Sequence, residues 1–159
     1  LRTPLAPLPL ARFSTPHAPI SPLLLAPPTR PLILLLAPPA RPQHMSIERT
    51  GTTRRYSDIV IHDKTVYLVE VPQDLTADIT GQTREVLGRI ERLLIEAGSN
   101  ASRMLQVTLY LSDMADYDDM NAVWDAWVPE GAAPVRACVG VRLANPGYRI
   151  EAVVIAARN

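Results

Sequence analysis

Ile79-Thr80-Gly81-Gln82-Thr83-Arg84-Glu85-Val86-Leu87-Gly88-Arg89-Ile90-Glu91-Arg92-Leu93-Leu94-Ile95-Glu96-Ala97-Gly98 is the stretch that decides the fold. Ile79, Thr83, Val86, Leu87, Ile90, Leu93, Leu94 and Ala97 recur at spacings of three and four, one face of a helix across five turns. Arg84, Glu85, Arg89, Glu91, Arg92 and Glu96 occupy much of the remaining surface. Gly98 fits the left-handed residue that ends such a helix. A helix of this kind has one apolar stripe to bury, so it needs a second layer to pack on.

The flanking sequence supplies that layer as strands. Upstream, Tyr56–His62 and Thr65–Val69 read as two extended runs about Asp63-Lys64, a hairpin, closed by Pro72. Downstream, Leu105–Leu111 alternates apolar and polar residues as a half-buried strand does. Ser112, Asp113 and Asp116 offer N-caps to a second helix whose apolar positions are Tyr117, Met120, Trp124 and Trp127. Pro129 and Gly131 end it, Val135–Val141 is another extended run, Asn145-Pro146-Gly147 a turn, and Tyr148–Ala156 a last, central strand. The order β-β-α-β-α-β-β describes an α+β domain, a mixed sheet with two helices on one face. The other face then needs covering. Leu68, Val107, Leu109, Val153 and Ile155 supply more apolar surface than a monomer exposes, so oligomerisation through the sheet is expected.

The chain has 159 residues, 16 Lys+Arg and 16 Asp+Glu. The balance conceals two regions. Residues 1–44 carry 12 of the 16 Pro and four Arg, with no acid and no Gly; residues 45–159 carry every acid against 12 Lys+Arg, a net charge of −4. Proline blocks helix interiors, and the longest Pro-free apolar run, Leu32–Ala37, is far short of a membrane span. Residues 1–44 therefore read as a polyproline-like or disordered segment. An organellar transit peptide fits its charge but not its two Ser or its lack of a helix; Pro28-Thr29-Arg30-Pro31 loosely fits a ligand of an SH3-like partner. A non-native extension is the expectation here, because Met45-Ser46 has the form of an ordinary start; residues 45–159 are then the functional domain.

Composition excludes several classes of function. An acidic domain with 5% aromatic residues lacks the footprint of a nucleic-acid binder. One cysteine, Cys138, excludes an internal disulfide framework and a Cys-built zinc site, and three scattered His make a His-rich metal site a poor fit. The sequence has no Gly-rich phosphate loop, no nucleophile elbow and no metal triad. Asp113, Asp116, Asp118 and Asp119 crowd a helix start, where contact with the helix dipole plus solvation accounts for them. His62 reads as a surface residue beside the hairpin turn, and Cys138 as a small hydrophobe in a strand. Arg136 at the start of an apolar strand and Glu151 inside Ile150-Glu151-Ala152-Val153-Val154-Ile155-Ala156 stand out, since charges there need a partner or an edge. Taken alone, structural pairing explains both better than catalysis does.

Pro134-Val135-Arg136-Ala137-Cys138-Val139 followed by Tyr148-Arg149-Ile150-Glu151 and Ile155-Ala156 resembles the C-terminal signature of the RidA (YjgF) family. Val107–Asp113 with Asp118-Asp119-Met120-Asn121 resembles its middle motif, and the likeness extends over residues 46–159. Tyr56-Ser57-Asp58-Ile59-Val60-Ile61-His62, Asp125-Ala126-Trp127-Val128, Ala133-Pro134-Val135-Arg136 and Asn145-Pro146-Gly147-Tyr148 are similar to the YoaB-like subgroup in particular. The resemblance implies a chorismate-mutase-like fold, a cytoplasmic homotrimer with clefts between subunits, no cofactor, and hydrolysis of reactive enamines or imines such as 2-aminoacrylate to 2-keto acids and ammonia.

By position, the resemblance makes Arg136 the clamp for a substrate carboxylate and Glu151 the group that positions water or moves protons. It places Tyr56 and Cys138 in the pocket lining and Asn121 as a binding or supporting residue. No metal is implied. Two stretches depart from the family pattern: Arg54-Arg55-Tyr56-Ser57-Asp58 replaces a Gly-Pro-Tyr-Ser-Gln-like segment, and Val69-Glu70-Val71 replaces Ser-Gly-Gln. Both belong to the substrate end of the cleft. The competing function is a non-catalytic trimer that senses small carboxylates such as keto acids. Endoribonuclease activity, reported for some relatives, fits an acidic domain poorly.

Overall fold

The computed structural model describes residues 46–159; the readings made of the Pro-rich segment lie outside these residues. Six strands and two helices follow in the order β1 (Ile47–Thr50), β2 (Ile59–His62), β3 (Thr65–Glu70), α1 (Ile79–Glu96), β4 (Met104–Leu111), α2 (Tyr117–Trp127), β5 (Val135–Gly140) and β6 (Ile150–Ala157). They form one mixed sheet, ordered β1-β2-β3-β6-β4-β5, in which only β4 and β5 run parallel. The last strand is central, as its Ile/Val-rich run requires, and pairs with β3 and β4 on either side.

The expected order lacked β1. Ile47-Glu48-Arg49-Thr50 is exposed throughout and carries no burial pattern. It is a strand because it pairs with β2 from Ile47↔His62 to Thr50↔Ile59 and because Arg158 Nη1 donates to Glu48 (2.9 Å). β2 starts three residues later than expected. Tyr56, Ser57 and Asp58 belong to a loop that folds back on Thr53, whose amide donates to the Tyr56 carbonyl (2.7 Å). The β2–β3 hairpin closes through Asp63 at φ +55°, a conformation that Asp tolerates better than most residues. Leu105 is the extra residue of a bulge between Met104 and Gln106, so the alternation of β4 begins at Gln106.

Both helices pack on the same face of the sheet. Val86, Leu87, Ile90 and Leu94 of α1 and Met120 and Trp124 of α2 share one core with Val66, Leu68, Val107, Leu109, Leu111, Val154 and Ala156. The Asp78 side chain caps α1 by accepting from Gly81 N, and Gly98 follows it at φ +73°, as the sequence required. The face assignment needs a correction. Leu68, Val107 and Leu109 lie under the helices and are at most 3% exposed. Only Val153 and Ile155 of the expected set face the open side, where Tyr67, Val69, Val135 and Val139 join them with 42–75% exposure. Strand pleating puts alternate residues on opposite faces, and the sequence does not say which parity faces the helices.

One buried polar residue ties α1 to the segment before β6. Gln82 is fully buried. Its Nε2 donates to the carbonyls of Asp74 (3.2 Å) and Gly147 (2.9 Å), and its Oε1 accepts from Arg149 N (2.8 Å). Gln82→Leu should cost about 1–3 kcal/mol in chemical denaturation, because it leaves backbone groups of Gly147 and Arg149 buried without partners.

Candidate active site

Arg136 is the second residue of β5 and pairs in register with Val107; Cys138 pairs with Leu109. Both side chains therefore lie on the helix side of the sheet, at its β5 edge. The Arg136 guanidinium carbon stands 5.0 Å from the centroid of the Trp124 ring on α2. Trp124 is buried and stacks at a tilt of 56° on Trp127, with ring centroids 5.6 Å apart. Asn121 lies one turn before Trp124 on the same helix. Arg136 Nη1 and Asn121 Oδ1 are both shielded from solvent, and neither has a hydrogen-bond partner within the described residues. Buried polar atoms without partners are uncommon and costly. The third such atom among the described residues is Thr83 Oγ1 on α1.

Cys138 packs against the core beside this cluster. Burial pushes its thiol up from the ordinary cysteine range, and the nearby Arg136 charge offsets this only in part. Both its burial and this shift favour the protonated thiol near neutral pH. Iodoacetamide at pH 8 should label it more slowly than cysteine in an unstructured peptide, and Cys138→Ala should leave turnover close to wild type.

Tyr56 and Glu151 lie elsewhere. Glu151 pairs with Tyr110 and shares the open face with Val153 and Ile155, so within one chain it points away from Arg136. Tyr56, 64% exposed, lines a cavity of about 390 Å³ with Asp58, Val69, Val71, Leu75 and Tyr148. The two stretches that depart from the family pattern thus meet at one hollow. Glu151 does not line it; it lies two residues before Val153, the partner of Val69. In that cavity Glu70 is 5% exposed and holds Arg89, whose Nε donates to its Oε2 (2.6 Å). Within one chain Arg136 and Cys138 therefore lie at the β5 edge on the helix side, beside the helix that carries Asn121, whereas Glu151 lies on the open face and Tyr56 in the loop before β2.

The segment between β5 and β6 is rigidly set. Asn145 Oδ1 accepts from Gly147 N (2.9 Å), forming the expected turn, and Gln82 grips the residues that follow. Arg149 Nε donates to Asp116 Oδ2 (2.9 Å), and its Nη2 reaches the other carboxylate oxygen. Asp116 is accordingly 6% exposed, which corrects its reading as a solvated helix-start acid. Asp113 does cap a short turn, accepting from Ala115 N (2.9 Å). The contacts made by Gln82, Trp124 and Asp116 could not be read from the sequence. Each sits in an amphipathic pattern that core packing or capping already explains, so nothing in the sequence alone marks them.

A six-stranded mixed sheet carrying two helices on one face is the architecture of the YjgF class. The chain belongs to that family: the family model described as Endoribonuclease L-PSP matches residues 46–158. It is 44% identical over 113 residues to the RutC family protein YoaB of Escherichia coli K12, covering 71% of this chain and 99% of that one. The crystal structure of NMB1025 from Neisseria meningitidis, a member of the YjgF protein family, superposes with a TM-score of 0.71 at 44% identity, over 73% of this chain and 98% of that one. The 3-aminoacrylate deaminase RutC of Acinetobacter baylyi is 37% identical over 79 residues, 50% of this chain and 62% of that protein. Among the described residues no helix is long and apolar enough to cross a membrane.

Proposed function

We propose that the protein hydrolyses small, reactive 2-imino acids and their enamine tautomers to 2-keto acids and ammonia, in clefts shared between copies of the chain in a homotrimer. The observation that carries this reading is Arg136, a half-buried guanidinium with an unpartnered Nη1 and no acidic partner among the described residues. A planar fork of this kind binds a carboxylate through two parallel hydrogen bonds and keeps its charge at any working pH. The relative named as a 3-aminoacrylate deaminase supports the same chemistry.

The separation of Arg136 from Glu151 explains why a ring of copies is needed. One chain offers Arg136 on an edge strand, with Asn121 on the helix packed beside it, and Glu151 on the opposite face, with Tyr56 in the loop before β2. A heterologous contact that sets the first group against the second on the next chain completes a site at each seam and closes as a ring. The exposed apolar side chains of the open face, Tyr67, Val69, Val135 and Val139, supply surface for that contact.

The reaction needs little beyond alignment. An enamine takes a proton on carbon to become the iminium, whose carbon is electrophilic. Arg136 holds the carboxylate, and Glu151 of the next chain accepts a proton as water oxygen bonds to that carbon. The nitrogen of the resulting carbinolamine is protonated, the C–N bond breaks, ammonia leaves, and the hydroxyl proton is lost to give the keto acid. Val69, Leu75, Tyr56 and Tyr148 would receive the substrate's side-chain end. The test is a coupled reaction in which a dehydratase generates iminium intermediates from several amino acids. Keto-acid release should accelerate when the protein is added; no acceleration over buffer with any precursor overturns the reading.

A further inference from the structure

Three ion pairs occur among the described residues: Arg89–Glu70, Arg149–Asp116 and Arg158–Glu48. Arg136 is in none of them. Its guanidinium instead lies against the Trp124 ring, 5.0 Å from the centroid, and Trp124 is 4% exposed. Arg89 and Arg149 are each held by two hydrogen bonds to a carboxylate, so the fold readily fixes an arginine by an acid where it needs one fixed. At Arg136 it uses an indole.

We infer that Trp124 is a positioning residue that aims the Arg136 guanidinium in place of a carboxylate, leaving its donors and charge free for an incoming acid. The inference rests on the reading of Arg136 as the carboxylate clamp and adds how that clamp is held. A carboxylate partner would occupy the same in-plane N–H groups that a substrate carboxylate needs, and would cancel the charge that attracts it. An aromatic face attracts the cation from above or below its plane and uses none of those donors. The orphaned Nη1 is the structural consequence. Trp127, tilted against Trp124, fixes the indole in turn. Neither tryptophan need touch the substrate.

The experiment compares wild-type full chain with Trp124→Leu, Trp124→Phe and Arg136→Gln. It measures 2-oxobutanoate binding by calorimetry and the Arg136 Nε–H resonance by ¹⁵N NMR. Trp124→Leu keeps an apolar side chain but removes the π face, and should raise Kd about tenfold. Trp124→Phe restores a π face and should stay within about threefold of wild type. The ring-current shift of the Arg136 resonance should be present in wild type and lost in the Leu variant. Trp124→Met, whose flexible side chain fills irregular gaps, replaces Leu if that variant does not fold. A merely structural role for Trp124 would make Phe and Leu differ in melting temperature and not in Kd. The inference is overturned if the Leu variant binds as wild type does, if Phe loses as much as Leu, or if the wild-type Arg136 resonance is unshifted. If wild type binds no better than Arg136→Gln, the carboxylate reading itself fails. If Arg136→Gln loses binding and Trp124→Leu does not, only the role of Trp124 fails.

Discussion

Arg136→Gln should abolish the acceleration of keto-acid release, lowering kcat/KM by about 10²–10⁴-fold, while the protein stays folded. The size follows from the loss of a paired, charge-assisted contact to the substrate carboxylate, at about 1.5–3 kcal/mol per hydrogen bond to a charged group. Arg136→Lys should recover little, because an ammonium supplies a point charge without the planar fork. The stability expectation is unusual for a half-buried arginine. Removing one partner of a buried ion pair normally costs several kcal/mol. Among the described residues Arg136 has no such partner, and its Nη1 is buried without a hydrogen bond, so its loss relieves a desolvation cost as well as removing the stack on Trp124. Thermal unfolding of the variant should therefore change little, the pattern of a group retained for function. Wild-type turnover in the Gln variant would separate Arg136 from the chemistry.

Glu151→Gln should lower turnover by about 10²–10⁴-fold, the usual contribution of a positioned acid–base group, with little change in keto-acid affinity. A sensor that only binds small carboxylates should tolerate this variant, so the split between kcat and affinity separates the two functions. The geometry adds a sharper expectation. Arg136 and Glu151 leave the sheet on opposite faces of the same chain. If one seam draws Arg136 from one copy and Glu151 from the next, each inactive variant retains half of a working site. Subunit exchange between Arg136→Gln and Glu151→Gln proteins should then restore about a quarter of wild-type activity, since random assembly pairs two intact halves at one seam in four. Mixtures that remain inactive after exchange is verified by mass would exclude a site shared in this way.

Much of the scaffold was legible because it obeys periodicity. The stripe of α1 needs one buried face, the Ile/Val run of β6 needs burial on both sides, and Gly98 and Asn145-Pro146-Gly147 are local stops. These signals sit within a few residues of one another, so they survive without knowledge of the rest of the chain. β1 was not legible, because its four exposed residues become a strand only by pairing with β2. The parity of β3 and β4 was not legible either, since alternation fixes that two faces differ and not which one the helices cover.

The site divides in the same way. Arg136 and Glu151 stood out as charges in apolar strands, and the family motifs gave them candidate roles. That one faces the helices and the other the open side is a matter of register, set by Val107↔Arg136 and Tyr110↔Glu151. The sequence by itself determined the element types, the family, and which charged residues break the apolar pattern, because each is written in local spacing or motif. Tertiary structure alone decided that Trp124 underlies Arg136, that Asp116 is buried by Arg149, and that Arg136 and Glu151 leave opposite faces of the sheet. The physical reason is that these contacts join residues distant in sequence, and strand pairing and helix packing set their distances.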